Sequence, residues 1–75
     1  MYGKLNDTEK TILKLIGKGF TNQEISENLN KSENTINTYI YHLAKQYSAK
    51  NRIDLFNKTK GELKWIMHNN FSTNI

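Results

Sequence analysis

The chain of 75 residues has no cysteine, no proline, four glycines and no apolar run approaching the length of a membrane span. Without cysteine there is neither a disulfide framework nor a thiolate metal site, as suits a reducing compartment. Without proline, and with so little glycine, a turn-rich β architecture is a poor fit and helices are expected. No signal peptide opens the chain, and a transmembrane helix would need about 20 apolar residues, so a soluble, cytoplasmic protein with no membrane contact is expected. The two histidines, His42 and His68, lie far apart and read as surface residues, so no metal or other cofactor is expected. Nor is an enzyme. No nucleophile and base stand at a workable spacing, there is no glycine-rich phosphate loop, and a helical domain this small has little room for a pocket.

What is present is positive charge. The formal net charge is +4 and the isoelectric point about 9.4, a balance that suits a polyanionic partner without requiring one. The chain is also rich in Asn, Lys and Ile, the signature of drift in an AT-rich genome, so single surface Lys and Asn residues carry little weight. One domain is expected over residues 1–68. The polar end HNNFSTNI contributes a tail at 69–75, expected to be flexible.

Four segments carry helical periodicity. In DTEKTILKLIGKG, Ile12, Leu13, Leu15 and Ile16 form an apolar stripe with Lys10, Lys14 and Lys18 on the wet side. Asn6 stands three residues before Glu9 as an N-cap, and Gly19 suits a left-handed C-terminal turn. In TNQEISENLNK, Thr21 and Glu24 have capping-box spacing, Ile25 and Leu29 share a face, and Phe20 can staple onto Ile25. Ser32 offers the next N-cap. The last segment repeats apolar residues at Leu55, Phe56, Leu63, Ile66 and Met67, with Gly61 a weak point between them. The expected architecture is all-α: helices over about 7–18, 22–29, 33–47 and 52–67, the middle two forming a helix-turn-helix. Ser26 is small enough to let those two approach closely.

The third helix, from SENTINTYIYHLAKQ, is the unusual one. At about 100° per residue, Ile36, Ile40, Leu43 and Tyr47 fall on one stripe, and Asn34, Asn37, Thr38, Tyr41 and Lys45 fall opposite. A helix needing only solubility would use Lys, Glu and Gln, which are better helix formers than Asn and Thr. Asn can pair bidentately with adenine, Thr can meet a base edge or a thymine methyl, and Tyr can reach base or phosphate. The competing reading is a solvated face filled with Asn by composition bias.

Residues 5–55 resemble the LuxR/GerE-type DNA-binding domain. The family outline runs approximately L-T-x-R-E-x-x-V-L-x-L-I-A-x-G, S-N-K-E-I-A-x-x-L, S-x-x-T-V-K-x-H and x-x-R-x-x-L. Here it reads LNDTEKTILKLIGKG, TNQEISENL, SENTINTY and KNRIDL with the spacings kept. The resemblance implies a four-helix domain whose third helix recognises double-stranded DNA, acting as a bacterial or phage-type transcriptional regulator. It is similar to the stand-alone variant that lacks a sensory or receiver domain. By this resemblance Asn37, Thr38 and Tyr41 are base readers, joined by Asn34 from the same exposed face. Asn22, Thr35 and Tyr39 match positions that hold phosphates, and Lys45, Gln46, Lys31 and Lys50 are placed to meet further phosphates.

Departures from the pattern matter. The family's usual Lys is Asn37, its His is Tyr39, and its K-L-G-V turn is replaced by Gln46-Tyr47-Ser48-Ala49. Lys45 is left as the only Lys or Arg of the third helix, which lowers expected non-specific affinity because each lost phosphate contact removes counterion release. Arg52 flanks the motif, either reaching DNA or pairing with Asp54 or Glu24. The family's fourth helix commonly dimerises, so a homodimer is expected through Phe56, Thr59, Leu63 and Ile66. The alternative is that Leu55 and Phe56 close the monomer core. Trp65, with Met67 and Phe71, offers a patch for a protein partner. That patch and the low charge of the third helix support a second function: a protein-binding module modulating another regulator or RNA polymerase.

Overall fold

The computed structural model describes residues 5–61, which form α1 (Asp7–Gly17), α2 (Asn22–Leu29), α3 (Glu33–Gln46) and α4 (Arg52–Thr59). Each helix begins on a side-chain cap three residues ahead of the amide it accepts from. Asn6 Oδ1 accepts from the Glu9 amide at 2.8 Å while Glu9 Oε1 accepts from the Asn6 amide at 2.9 Å. Thr21 and Glu24 repeat this reciprocal box at 3.1 and 2.8 Å. Ser32 accepts from the Thr35 amide, and Asn51, a cap not expected from the sequence, accepts from the Asp54 amide at 2.8 Å. Such caps each stabilise a helix by about 1 kcal/mol, which weighs heavily in a domain of this size.

The helix ends also repeat one device. Gly19 (φ 89°), Asn30 (φ 56°) and Ser48 (φ 54°) are left-handed. In each case two amides turn back onto the helix: Phe20 to the Leu15 carbonyl at 3.0 Å, Lys31 to Ser26 at 2.9 Å, Ala49 to Ala44 at 2.8 Å, with Gly19, Asn30 and Ser48 closing the inner bond. These are Schellman turns, and they satisfy carbonyls that a helix end leaves open. They reverse the chain within a few residues, which is what lets so short a sequence fold back on itself repeatedly.

The core is built from one stripe of each helix. Ile12, Leu13, Leu15 and Ile16 come from α1, Ile25 from α2, Ile36 and Leu43 from α3, Tyr47 from its capping residue, Leu55 from α4, and Leu5 from the leading segment. Phe20, Leu29, Tyr39, Ile40, Ala49 and Phe56 ring it, half-buried. Fully burying each large aliphatic side chain contributes about 1.5–3 kcal/mol, so six completely covered ones supply the main drive to fold. Ser26 is buried where α2 meets α3, its hydroxyl returned to the Gln23 carbonyl at 2.7 Å. Gly17 performs the same service between α1 and α4: a Cβ there would stand 2.3 Å from the Phe56 ring.

The fourth helix is shorter than the periodicity suggests. Among the described residues it ends at Thr59, with Lys60 as its cap and Gly61 in the following turn. Leu63, Trp65, Ile66, Met67, His68, Phe71 and the 69–75 tail lie outside the described residues. Phe56 sits half-buried against the core over Gly17, and Leu55 is completely covered. Thr59, expected at a dimer contact, is instead fully buried within the protomer, its hydroxyl donating to the Leu55 carbonyl at 2.8 Å. A threonine that returns its hydroxyl to its own helix can be buried like valine.

Candidate nucleic-acid interface

α2, the turn at Asn30–Ser32 and α3 form the helix-turn-helix, and these two helices pack closely against each other. With Ile36, Leu43 and Tyr47 turned to the core, the opposite face of α3 is open. Asn34, Asn37, Thr38, Tyr41 and Lys45 are all exposed, Tyr41 at 59 %. The division follows the periodicity reading, with Ile40 of the apolar stripe half-buried against the core.

The open face is ordered. The Thr38 hydroxyl donates to the Asn34 carbonyl at 3.0 Å, which uses its one donor and leaves the oxygen its acceptor capacity. The Lys45 ammonium lies 5.4 Å from the centre of the Tyr41 ring, a cation–π contact between residues four apart, and Tyr41 meets His42 edge to face at 5.6 Å. Thr35 is half-buried and shares a 2.8 Å hydrogen bond with the Ser32 hydroxyl at the helix start. Tyr39 is half-buried on the flank toward α1, where a groove of about 350 Å³ runs past Glu9, Thr35, Tyr39, His42 and Gln46. Lys31 and Lys50 are exposed beyond the two ends of α3, and Gln46 is exposed in its last turn.

Asn22 and Arg52 occupy an unexpected place. The Arg52 guanidinium donates to the Asn22 side-chain oxygen, and its second nitrogen donates to the Phe20 carbonyl at 2.7 Å. The Asn22 amide nitrogen in turn donates to Oδ1 of Asn37, 2.5 Å away. Thus Arg52 pairs with neither Asp54 nor Glu24; it ties α4 to the start of α2, and α2 to the exposed face of α3. Asp54 belongs to a separate cluster, accepting from the Lys50 amide at 2.9 Å and facing Lys58 at 3.6 Å. The Lys50 amide, followed by Lys58, holds its carboxyl below the ordinary 3.8 although burial acts the other way. No sequence pattern pointed to the Arg52 contacts, which join residues 30 and 32 positions apart.

Among the described residues, no helix is long and apolar enough to cross a membrane, and no His/Cys/Asp/Glu group could hold a metal ion. The arrangement is that of a helix-turn-helix domain presenting the outer face of its second motif helix. Residues 4–59 match the family described as "Bacterial regulatory proteins, luxR family", and the chain belongs to that family. It is 44 % identical over 48 residues to the CsgBAC operon transcriptional regulatory protein of Escherichia coli, covering 64 % of this chain and 22 % of that protein. The same figures hold for the probable csgAB operon transcriptional regulatory protein of Salmonella typhimurium. The two-component response regulator PprB of Pseudomonas aeruginosa is 31 % identical over 55 residues, covering 73 % of this chain and 20 % of that protein. The chain therefore spans about a fifth of the length of these relatives.

Proposed function

We infer that the chain binds double-stranded DNA sequence-specifically as a bacterial transcriptional regulator, laying α3 in the major groove. The observation that carries this reading is the open face of α3. Its Asn, Thr and Tyr side chains are exposed, ordered by local contacts, and of the types that read base edges. Asn34, Asn37, Thr38 and Tyr41 are assigned to bases and Thr35, Tyr39, Lys45, Gln46, Lys31 and Lys50 to phosphates; Asn22, expected at a phosphate, is instead assigned to positioning, since its amide is engaged by Arg52 and Asn37. The relatives' names as operon transcriptional regulatory proteins support the reading as a transcriptional regulator.

One such helix reads only a few base pairs, so the active form is taken as a homodimer with recognition helices about 34–36 Å apart, one helical turn of DNA. Support comes from α4, where Ile53 is 70 % exposed and Phe56 is only half-buried. An apolar side chain so open on the element that commonly pairs in this family is a natural self-contact.

Selection of bound duplexes from a random library tests the reading. A palindrome with half-sites one turn apart is expected. Asn37→Ala and Tyr41→Ala should each lower affinity for it about 5- to 100-fold while the domain still melts cooperatively, with a modest loss of stability from the Asn22 contact of Asn37 and the Lys45 contact of Tyr41. Recovery of only weak, salt-sensitive binding would overturn it in favour of a protein-docking module.

A further inference from the structure

We propose that Arg52 and Asn22 are positioning residues that set the polarity of the Asn37 amide, so that this chain reads a guanine with Asn37 rather than an adenine. The inference rests on α3 entering the major groove and deepens that assignment.

Donors and acceptors alternate along this relay in only one order. Arginine has N–H donors and no acceptor, so the Asn22 atom facing Arg52 has to be its oxygen. The other end of the same planar amide is then its NH₂ group, and this end faces Asn37. A donor there requires an acceptor, so Asn37 turns its Oδ1 inward. What Asn37 presents outward is NH₂. A guanidinium, which has donors only, thereby fixes, through two amides, which end of an exposed side chain faces the groove. The anchor is secure because the same guanidinium also donates to the Phe20 carbonyl at 2.7 Å and Arg52 is itself half-buried.

Adenine shows the major groove one acceptor and one donor, and an asparagine reads it with oxygen and NH₂ together. Guanine shows two adjacent acceptors, N7 and O6. With one Oδ1 lone pair given to Asn22, Asn37 is matched to the acceptor pair, and an adenine N6 amino group would meet NH₂ with NH₂. The family's usual residue here is a lysine, a pure donor, so the relay makes Asn37 imitate a donor with an uncharged amide.

Asn22→Asp is the decisive variant. It is nearly isosteric, keeps an oxygen for Arg52, and places a carboxylate in the first turn of α2, where it is tolerated. It has no donor for Asn37, whose amide must then rotate, giving NH₂ to the new carboxylate and turning Oδ1 toward the groove. Libraries are selected with wild type, with Asn37→Ala, which identifies the position that Asn37 reads, and with Asn22→Asp. At that position wild type should prefer guanine over adenine about tenfold, and Asn22→Asp should reverse the preference toward adenine or cytosine. In the free proteins, side-chain amide exchange by NMR should show protection of the Asn22 NH₂ group in wild type and of the Asn37 NH₂ group in the variant. Adenine in the wild-type site, an unchanged site with Asn22→Asp, or a protected Asn37 NH₂ group in wild type overturns the proposal alone. Recovery of no preferred duplex at all, with the NMR pattern as expected, overturns DNA recognition and the guanine preference with it.

Discussion

The first turn of α4 feeds two polar clusters that differ in kind. At its start Arg52 is half-buried and meets two neutral oxygens, one on Asn22 and one on Phe20, far away in sequence. From the same turn Asp54 reaches back to the Lys50 amide and along the helix to Lys58, all of it local and at the surface. The second cluster is an ion pair and the first is not, yet the first does more to define the tertiary structure. A planar guanidinium spends its hydrogen bonds in fixed directions and, through Asn22, links three helices, whereas an exposed ion pair between flexible side chains gains little over hydration.

Removing Arg52 is therefore the largest expected effect. Arg52→Met keeps the aliphatic stem and deletes both charge-assisted bonds, which should cost about 2 kcal/mol. In a domain of this size that corresponds to a fall in melting temperature of roughly 10 °C. A denaturant titration with unchanged slope and a lower midpoint would be the signature of lost stability in an intact fold. A loss no greater than that from mutating Lys58 would erase the distinction between the clusters.

Asp54 sharpens the comparison through pH. Its carboxyl is held below the ordinary 3.8, first by the Lys50 amide and then by Lys58. The folded state thus binds this proton less tightly than the unfolded chain does. Its contribution is complete above the unfolded value and is lost as pH falls through the folded one. Asp54→Asn should flatten the decline in melting temperature between about pH 5 and pH 3. An unaltered acid limb in Asp54→Asn would place the acid sensitivity elsewhere.

The two clusters also mark where the sequence was legible. Caps at Asn6, Thr21 and Ser32 act over three residues, and the two faces of α3 follow from a period of about 3.6, so both could be read along the chain. The four-helix order and the helix-turn-helix emerged for the same reason. Along the chain Arg52 reads as reaching DNA or pairing with Asp54 or Glu24, because its true partners, Asn22 and the Phe20 carbonyl, are brought to it by the fold. Asn37 was legible as an exposed amide but not as a polarised one, since its orientation depends on a residue of another helix. The family's use of its fourth helix places Thr59 at a dimer contact, an expectation that misses how a threonine whose hydroxyl is satisfied by its own backbone can be buried in the protomer. For α4 the apolar repeat continues past Gly61, whose weak helix propensity leaves one helix or two pieces open, and the described helix stops at Thr59.

Lys58 should give the smallest effect, and its size tests the whole contrast. Its ammonium stands 3.6 Å from the Asp54 carboxylate and donates to the Ser48 carbonyl at 2.8 Å, yet the side chain is 41 % exposed. Water can replace both partners, and ordering a lysine side chain costs entropy that offsets the attraction. Lys58→Met should therefore change stability by less than about 0.5 kcal/mol, and that little should shrink further in 1 M salt, where the screening length falls to about 3 Å. Ser48 gives the one reason to expect more. It is left-handed without being glycine, a conformation that costs a non-glycine residue about 1–2 kcal/mol, and Lys58 is the side chain bonded to its carbonyl. The Ser48→Gly background separates these contributions. If Lys58 matters only as an ion-pair partner, its small effect is the same there; if it braces the strained turn, the effect disappears once glycine removes the strain.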